Sequence, residues 1–195
     1  ADVATYGEPD GTPEMNRLAV SGPTERDDRV AASIDFHAND VYNVGDNCFE
    51  ADGGVHNIRI FDNRCFNTAQ SSLSAQPVFG GPVYFYRNLV YNAVLGGALK
   101  YADGPAGVLV YQNTFVAADN SPGGPASNLH TLNNIFLGRR DDGPVYAIAT
   151  TTNYSSSDHN GFNVGTGDFS FGWDSPPMGV AADFDCRHKL EPRRF

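Results

Sequence analysis

The stretch Val83-Tyr84-Phe85-Tyr86-Arg87-Asn88-Leu89-Val90-Tyr91-Asn92 contains the pattern that decides the fold. A short strand with alternate apolar residues comes first, Asn88 follows it, and the apolar Val90 stands two positions after the asparagine. The pattern recurs every 21 to 26 residues, which is the period of a solenoid. The six repeated asparagines are Asn39, Asn63, Asn88, Asn113, Asn134 and Asn160.

A repeat of this length holds two or three short strands and their turns, but no full strand–helix–strand crossover. Stacking equivalent strands in parallel lets each coil satisfy the backbone hydrogen bonds of the next, at about 4.8 Å per rung. The sequence therefore predicts an all-β parallel β-helix of about six coils over residues 31–165. Residues 1–30 are predicted to be an irregular N-terminal segment or cap, and residues 166–195 an irregular C-terminal tail.

The repeated asparagines are predicted to have a structural role. An asparagine tolerates left-handed turn geometry, and its amide can bond to the asparagine one coil away. The residues two positions later should form a core stack; they are Val41, Cys65, Val90, Phe115, Phe136 and Phe162. Cys48 and Cys65 are expected to be buried as small hydrophobic residues, and a bridge between them is the alternative.

Composition excludes several classes of partner. The net charge is −10 and the isoelectric point is near 4.7, so nucleic acid is not an expected partner. The same charge disfavours unaided binding of an acidic polymer, although a bound cation would change this. No apolar run approaches the roughly 20 residues that span a membrane, so no membrane partner is expected.

Several motifs of the repeat are similar to motifs in known proteins. They are Asn63-Arg64-Cys65-Phe66-Asn67, Asn88-Leu89-Val90-Tyr91-Asn92, Asn113-Thr114-Phe115, Gly80-Gly81-Pro82-Val83-Tyr84 and Ala98-Leu99-Lys100. With these motifs the chain resembles the right-handed parallel β-helix repeat proteins. That superfamily includes polysaccharide lyases and pectin-type hydrolases. The resemblance implies a right-handed solenoid and a secreted or cell-surface protein that acts on a polysaccharide.

The third strand of each coil should present one polar outer face. Glu50, Ser74 and Lys100 are predicted to share it with Asp52 and Gln76, while Asp46 and Asp103 lie at its margins. Such a face suits β-elimination, in which a base removes the proton beside a uronate carboxylate. The resemblance to the lyases implies Lys100 and Glu50 as the catalytic residues, with Lys100 as the base. It also implies a Ca²⁺ cofactor, for which Asp46, Glu50 and Asp52 are the metal candidates.

A second outward row contains His37, Phe61, Tyr86 and Tyr111. Aromatic rings can form a platform for sugars, or they can form a structural ladder along neighbouring strands. The predicted substrate-binding residues combine this row with the polar face; they are Ser74, Gln76, Tyr86, Tyr111 and His37.

The leading functional expectation is a β-helix that acts on an acidic polysaccharide by β-elimination. One alternative is a non-catalytic glycan-binding, structural or adhesion β-helix, in which Glu50 and Lys100 are solvated surface charges. A second is a glycoside hydrolase, which needs two carboxylates about 5 to 10 Å apart. Exposed strand edges at the ends of the solenoid also make end-to-end or side-by-side self-association an expectation.

Overall fold

The computed structural model describes residues 31–138, 145–151 and 154–163, and the backbone of short strands at 6–7, 13–14 and 171–174. Strand β1 (Tyr6–Gly7) pairs antiparallel with β2 (Pro13–Glu14). The rest of the predicted N-terminal segment 1–30 and of the predicted tail 166–195 lies outside the described residues.

The described chain winds through three parallel sheets, of which the first two contain six strands each and the third contains three strands, from the first three coils. The first sheet contains β3 (Ala32–His37), β6 (His56–Phe61), β9 (Val83–Tyr86), β12 (Ala106–Tyr111), β14 (Ser127–Leu132) and β17 (Ser156–Asp158). The second contains β4 (Asp40–Tyr42), β7 (Arg64–Thr68), β10 (Leu89–Ala93), β13 (Thr114–Ala117), β15 (Ile135–Gly138) and β18 (Gly161–Asn163). The third contains β5 (Phe49–Glu50), β8 (Leu73–Ala75) and β11 (Leu99–Tyr101), and a separate parallel pair joins β16 (Tyr146–Ala149) to β19 (Phe171–Asp174).

This architecture is a parallel β-solenoid of about five turns, which confirms the predicted all-β β-helix. Strands three apart in the order of the chain pair in register, for example Val90 with Cys65 and with Phe115. No helix of the length and hydropathy needed to cross a membrane occurs in the part of the chain that the structure describes.

The hydrophobic core fills the inside of the coils. In the first sheet Ile58, Ile60, Val83 and Phe85 have no exposed surface. In the second, the rings of Phe115 and Phe136 stack with centroids 5.2 Å apart, which confirms the predicted core stack. At the first coil the inward-facing apolar residues are only partly buried; they are Ile34, Phe36, Val41 and Val44.

The repeated asparagines form a continuous ladder at the corner between the first two sheets. Each of the first five donates its backbone N–H and its amide N–H to the Oδ1 of the asparagine in the next coil; from Asn113 to Asn134 both distances are 3.0 Å. The same amide of Asn113 also donates to the carbonyl of Phe85, at 2.8 Å. The predicted bonding between coils is therefore confirmed.

The ladder asparagines do not themselves adopt the left-handed conformation that asparagine tolerates. The positive φ angle falls on the residue directly before each of them; these residues are Ala38, Asp62, Arg87, Gln112, Asn133 and His159. The ladder asparagine must direct its amide along the solenoid axis, and the preceding residue makes the turn that allows this. A second row does combine both properties, since Asn43, Asn67 and Asn92 have positive φ angles and their side chains bond to one another.

The expectation that Cys48 and Cys65 are two separate buried thiols is wrong. They form a disulfide, with Cα atoms 6.1 Å apart and 17 residues apart in sequence. Cys65 lies in β7 of the second coil and Cys48 directly precedes β5 of the first, so the bond joins two neighbouring coils. Both residues are buried, as predicted.

Candidate functional site

Three of the predicted site residues lie side by side on the third sheet. Glu50 pairs with Ser74, and Ser74 pairs with Lys100, so the three occupy equivalent positions of successive coils. Their neighbours Phe49, Leu73 and Leu99 are buried in the core. Two rungs separate Glu50 from Lys100, which is about 10 Å along the axis. We call this outer surface, with Asp52 and Gln76, the third-sheet face.

The central residue of this row is not accessible. Ser74 has no exposed surface, because its short side chain lies between the longer Glu50 and Lys100 and bonds to Asp52. Its hydroxyl is covered in the arrangement described, and a role for Ser74 in substrate contact stays a prediction. Its hydroxyl donates to Asp52 Oδ1 at 2.7 Å, and the backbone N–H of Gln76 donates to the same oxygen at 2.7 Å. Ser74 thus holds a carboxylate of the face in place.

The two central carboxyl groups of the face are partly desolvated. Burial raises the pKa of Asp52, although the hydrogen bonds from Ser74 and Gln76 oppose the shift. Burial likewise raises the pKa of Glu50, while the amide of Asn47, which donates to Glu50 Oε1 at 2.6 Å, lowers it. Repulsion between the Glu50 and Asp52 carboxylates raises the pKa of Glu50 further.

The margins of the face are also acidic. The side-chain amide of Gln76 donates to Asp103 at 3.2 Å, and the charge of Asp46 contributes to the raised pKa values of Glu50 and Asp52. Within the described ranges, no group of three or more His, Cys, Asp or Glu residues has a geometry that could hold a metal ion. Asp46, Glu50 and Asp52 are electrostatic neighbours, and their role as metal ligands stays a prediction.

Lys100 differs from the other described cationic residues in its partners. The three described arginines each pair with an aspartate of the preceding coil: Arg59 with Asp35 at 2.6 Å, Arg87 with Asp62 at 2.7 Å, and Arg64 with Asp40. Lys100 is half-buried and forms no ion pair with a described residue. Its charge lowers the pKa of Glu50 and of Asp52, so it acts electrostatically on both central carboxyl groups of the face.

The predicted aromatic row is a face-to-face ladder on the first sheet. Ring centroids are 4.8 Å apart for His37 and Phe61, 4.7 Å for Phe61 and Tyr86, and 5.0 Å for Tyr86 and Tyr111. Because each ring covers the face of its neighbour, the interior rings present only their edges to solvent. Packing between coils thus explains the row without a ligand, and a role for Tyr86, Tyr111 or His37 in substrate binding stays a prediction.

Sequence reasoning missed a second ladder, on the second sheet. Tyr42 stacks on Phe66 at 5.0 Å, and Phe66 stacks on Tyr91 at 4.8 Å. The signal was present in the sequence, because each of these rings stands three positions after a repeated asparagine. Asn47, which bonds to Glu50, has no equivalent in the repeat that could have identified it.

Comparisons with protein family models, with curated proteins and with solved structures find no match to this chain. The class of the protein therefore follows from the fold alone. It is a parallel β-solenoid with a disulfide between its first two coils and a polar third-sheet face.

Proposed function

We propose that this protein cleaves an acidic polysaccharide by β-elimination on the third-sheet face, with Lys100 as the base. The observation that carries the proposal is the position of Lys100, which stands in register with Glu50 across Ser74 and forms no close ion pair with a described residue. The other described cations form ion pairs with aspartates, so Lys100 is the described basic side chain that remains to act on a substrate.

The chemistry assigns one role to each end of the row. The neutral amine of Lys100 removes the proton from the carbon beside the uronate carboxylate. The electron pair of that C–H bond forms a carbon–carbon double bond, and the bond to the glycosidic oxygen breaks. The leaving oxygen needs a proton, for which Glu50 is suited because burial raises its pKa and so favours its protonated form.

The implied Ca²⁺ is not used in any of these steps. In the arrangement described, Asp52 Oδ1 accepts two hydrogen bonds and Glu50 Oε1 accepts one from Asn47. An ion held by Asp46, Glu50 and Asp52 would neutralise carboxylates of the face and of the substrate. It would also require these side chains to exchange their present hydrogen bonds for metal ligation.

Glycoside hydrolysis is a second candidate, and the two central carboxyl groups favour it. Glu50 and Asp52 lie two residues apart in sequence on one face, and burial raises the pKa of both. A hydrolase needs one protonated and one ionised carboxyl group near the scissile bond. The hydrogen bonds from Ser74 and Gln76 favour Asp52 as the ionised partner, which leaves Glu50 as the acid.

A screen of uronate polymers distinguishes these candidates. The protein is incubated with polygalacturonate and with alginate, with and without a chelator, and both the ultraviolet absorbance of unsaturated products and the formation of reducing ends are followed. Elimination predicts both signals, and Lys100→Ala should abolish them. Arg59→Ala, which removes an exposed cation of the first sheet, should leave them unchanged.

Other outcomes change the assignment. Reducing ends without unsaturated product, lost in Glu50→Gln but not in Lys100→Ala, would establish hydrolysis. Binding of a polymer without either signal would establish a non-catalytic glycan-binding protein. If Lys100→Ala matches the wild type in cleavage and in binding, the role proposed for Lys100 is wrong.

A further inference from the structure

The third-sheet face is bordered on both edges by exposed apolar side chains. Phe79 follows the carboxyl end of β8 and is 43% exposed. Val94 and Leu95 precede the amino end of β11 and are 62% and 77% exposed. Because the strands of the sheet are parallel, the ends that these residues border lie on opposite sides of the polar row. The face is thus polar along its centre and apolar along both edges.

Phe79 differs from the ring residues of the two aromatic ladders. No other described ring stacks on it. The N–H of Phe79 bonds to the carbonyl of Gly54, and the N–H of Ala106 bonds to the carbonyl of Val78, both at 3.0 Å. These bonds place Val55 of the preceding coil and Ala106 of the following coil beside Phe79, and both have shorter side chains than Phe79. The faces of its ring are therefore not used in packing against other rings, unlike those of Phe61 or Tyr86.

The position directly after Phe79 faces open space. A Cβ atom built on Gly80, the next residue, would meet no heavy atom within 4 Å. The turn itself is fixed, because Val78 is 2% exposed and anchors it in the core. An exposed ring on an anchored turn loses little conformational freedom when a ligand packs against it.

The opposite edge has a similar construction. The N–H of Leu95 bonds to the carbonyl of Ala69 in the preceding coil at 2.9 Å, which fixes the turn that exposes Val94 and Leu95. A Cβ atom on Gly96 would come within 2.6 Å of Ser71 Oγ, so this turn lies against the coil below. Single exposed apolar residues are ordinary on protein surfaces, but here they border both sides of one polar row.

We propose that Phe79 is a sugar-stacking residue at one edge of the third-sheet face and that Val94 and Leu95 form the apolar border of the same polysaccharide subsite. A pyranose ring has apolar C–H faces and polar edges, so it can pack one face on Phe79 while its polar edge is turned toward the third-sheet face. The inference rests on the proposed function, since it assigns further contacts to the same substrate.

Binding of polygalacturonate and of alginate tests the inference separately from cleavage. Affinity electrophoresis or calorimetry compares the wild type with Phe79→Ala, Phe79→Trp and Leu95→Ala. Tyr154→Ala is the matched control, because Tyr154 is 71% exposed but lies in the sixth coil, away from this face. Circular dichroism and urea unfolding establish that each variant is folded before binding is compared.

The expected result is that Phe79→Ala weakens binding of the preferred polymer about tenfold, as loss of one stacking contact and its buried area would do. Phe79→Trp should retain binding, Leu95→Ala should weaken it by a smaller factor, and Tyr154→Ala should not change it. If the wild type binds a polymer and Phe79→Ala binds it equally well, the stacking role is wrong while the proposed function stands. If the wild type neither binds nor cleaves either polymer, the proposed function is wrong and the stacking role is wrong with it.

Discussion

The substitution Asn88→Ala tests the asparagine ladder, because Asn88 is 2% exposed and bonds on both sides. Its Oδ1 accepts the backbone N–H and the amide of Asn63, both at 3.1 Å. Its amide donates to the carbonyl of Ile60 at 2.8 Å and to Asn113 Oδ1 at 3.0 Å. Alanine removes all four bonds and leaves the N–H of Asn63 without this acceptor and the carbonyl of Ile60 without this donor.

The size of the loss follows from these two buried groups. Leaving a buried polar group unsatisfied costs about 1–3 kcal/mol, so we expect Asn88→Ala to lower the free energy of unfolding by about 2–6 kcal/mol. Asn39→Ala is the matched control at the exposed end of the ladder, where the amide bonds to the carbonyl of His37 at 2.9 Å and to Asn63 Oδ1 at 3.0 Å. Water can replace the lost partner of His37, and Asn63 Oδ1 keeps the backbone N–H of Asn39, so its loss should stay below about 1 kcal/mol.

Urea unfolding followed by circular dichroism measures both losses, provided that the dependence on urea concentration is unchanged in the variants. Equal losses for Asn88→Ala and Asn39→Ala would refute the reasoning, because the ladder would then contribute the same whether or not water reaches it.

Three further predictions concern the disulfide, the buried carboxyl groups and the aromatic ladder. Reducing the Cys48–Cys65 bond, which closes a loop over a sequence separation of 17 residues, should lower the free energy of unfolding by about 3 kcal/mol, measured by urea unfolding with and without reductant; an unchanged midpoint would show that the bond contributes nothing. Burial raises the pKa of the Glu50 carboxyl group in the folded protein above its value in the unfolded chain. The contribution of this group to the stability of the fold is therefore fully present below the unfolded pKa. It is lost as the pH rises through the folded pKa. The glutamine of Glu50→Gln does not ionise, so this variant should gain stability relative to the wild type as the pH rises from about 4 to about 7. Thermal melts measure this; a difference in melting temperature that does not change with pH would contradict the raised pKa of Glu50. Tyr86→Ala, which removes stacking on both Phe61 and Tyr111, should destabilise the fold about twice as much as His37→Ala, which removes stacking on Phe61 alone; equal shifts in melting temperature would argue against the ladder as a source of stability.

Periodicity made the fold readable from the sequence. The positions around Asn63, Asn88 and Asn113 repeat because each coil must present the same groups to the next, and this repetition indicated the strands, their register and the core. The same reasoning aligned Glu50, Ser74 and Lys100 correctly, since backbone register decides which residues are neighbours.

What escaped prediction depends on side-chain geometry in three dimensions. The disulfide joins Cys48 to Cys65 because the width of one coil brings the start of β5 close to β7, and spacing in the sequence does not report this width. The burial of Ser74 depends on the lengths of its two neighbours and on the conformation of Asp52. The left-handed turn before each ladder asparagine is occupied by residues as different as Ala38, Arg87 and Gln112, so no residue type marks it.

The rows of this solenoid separate residues that stabilise the fold from residues that are free for function. Where side chains of successive coils stack on one another, the same kind of side chain recurs from coil to coil. The asparagine ladder and the aromatic ladder from Phe61 to Tyr111 are examples. The row Glu50–Ser74–Lys100 changes its chemistry at each coil, and Lys100 at its end has no ion-pair partner among the described residues. Packing between coils does not require an acid, a hydroxyl and an amine in succession. The third-sheet face is therefore the surface on which we propose that a ligand binds.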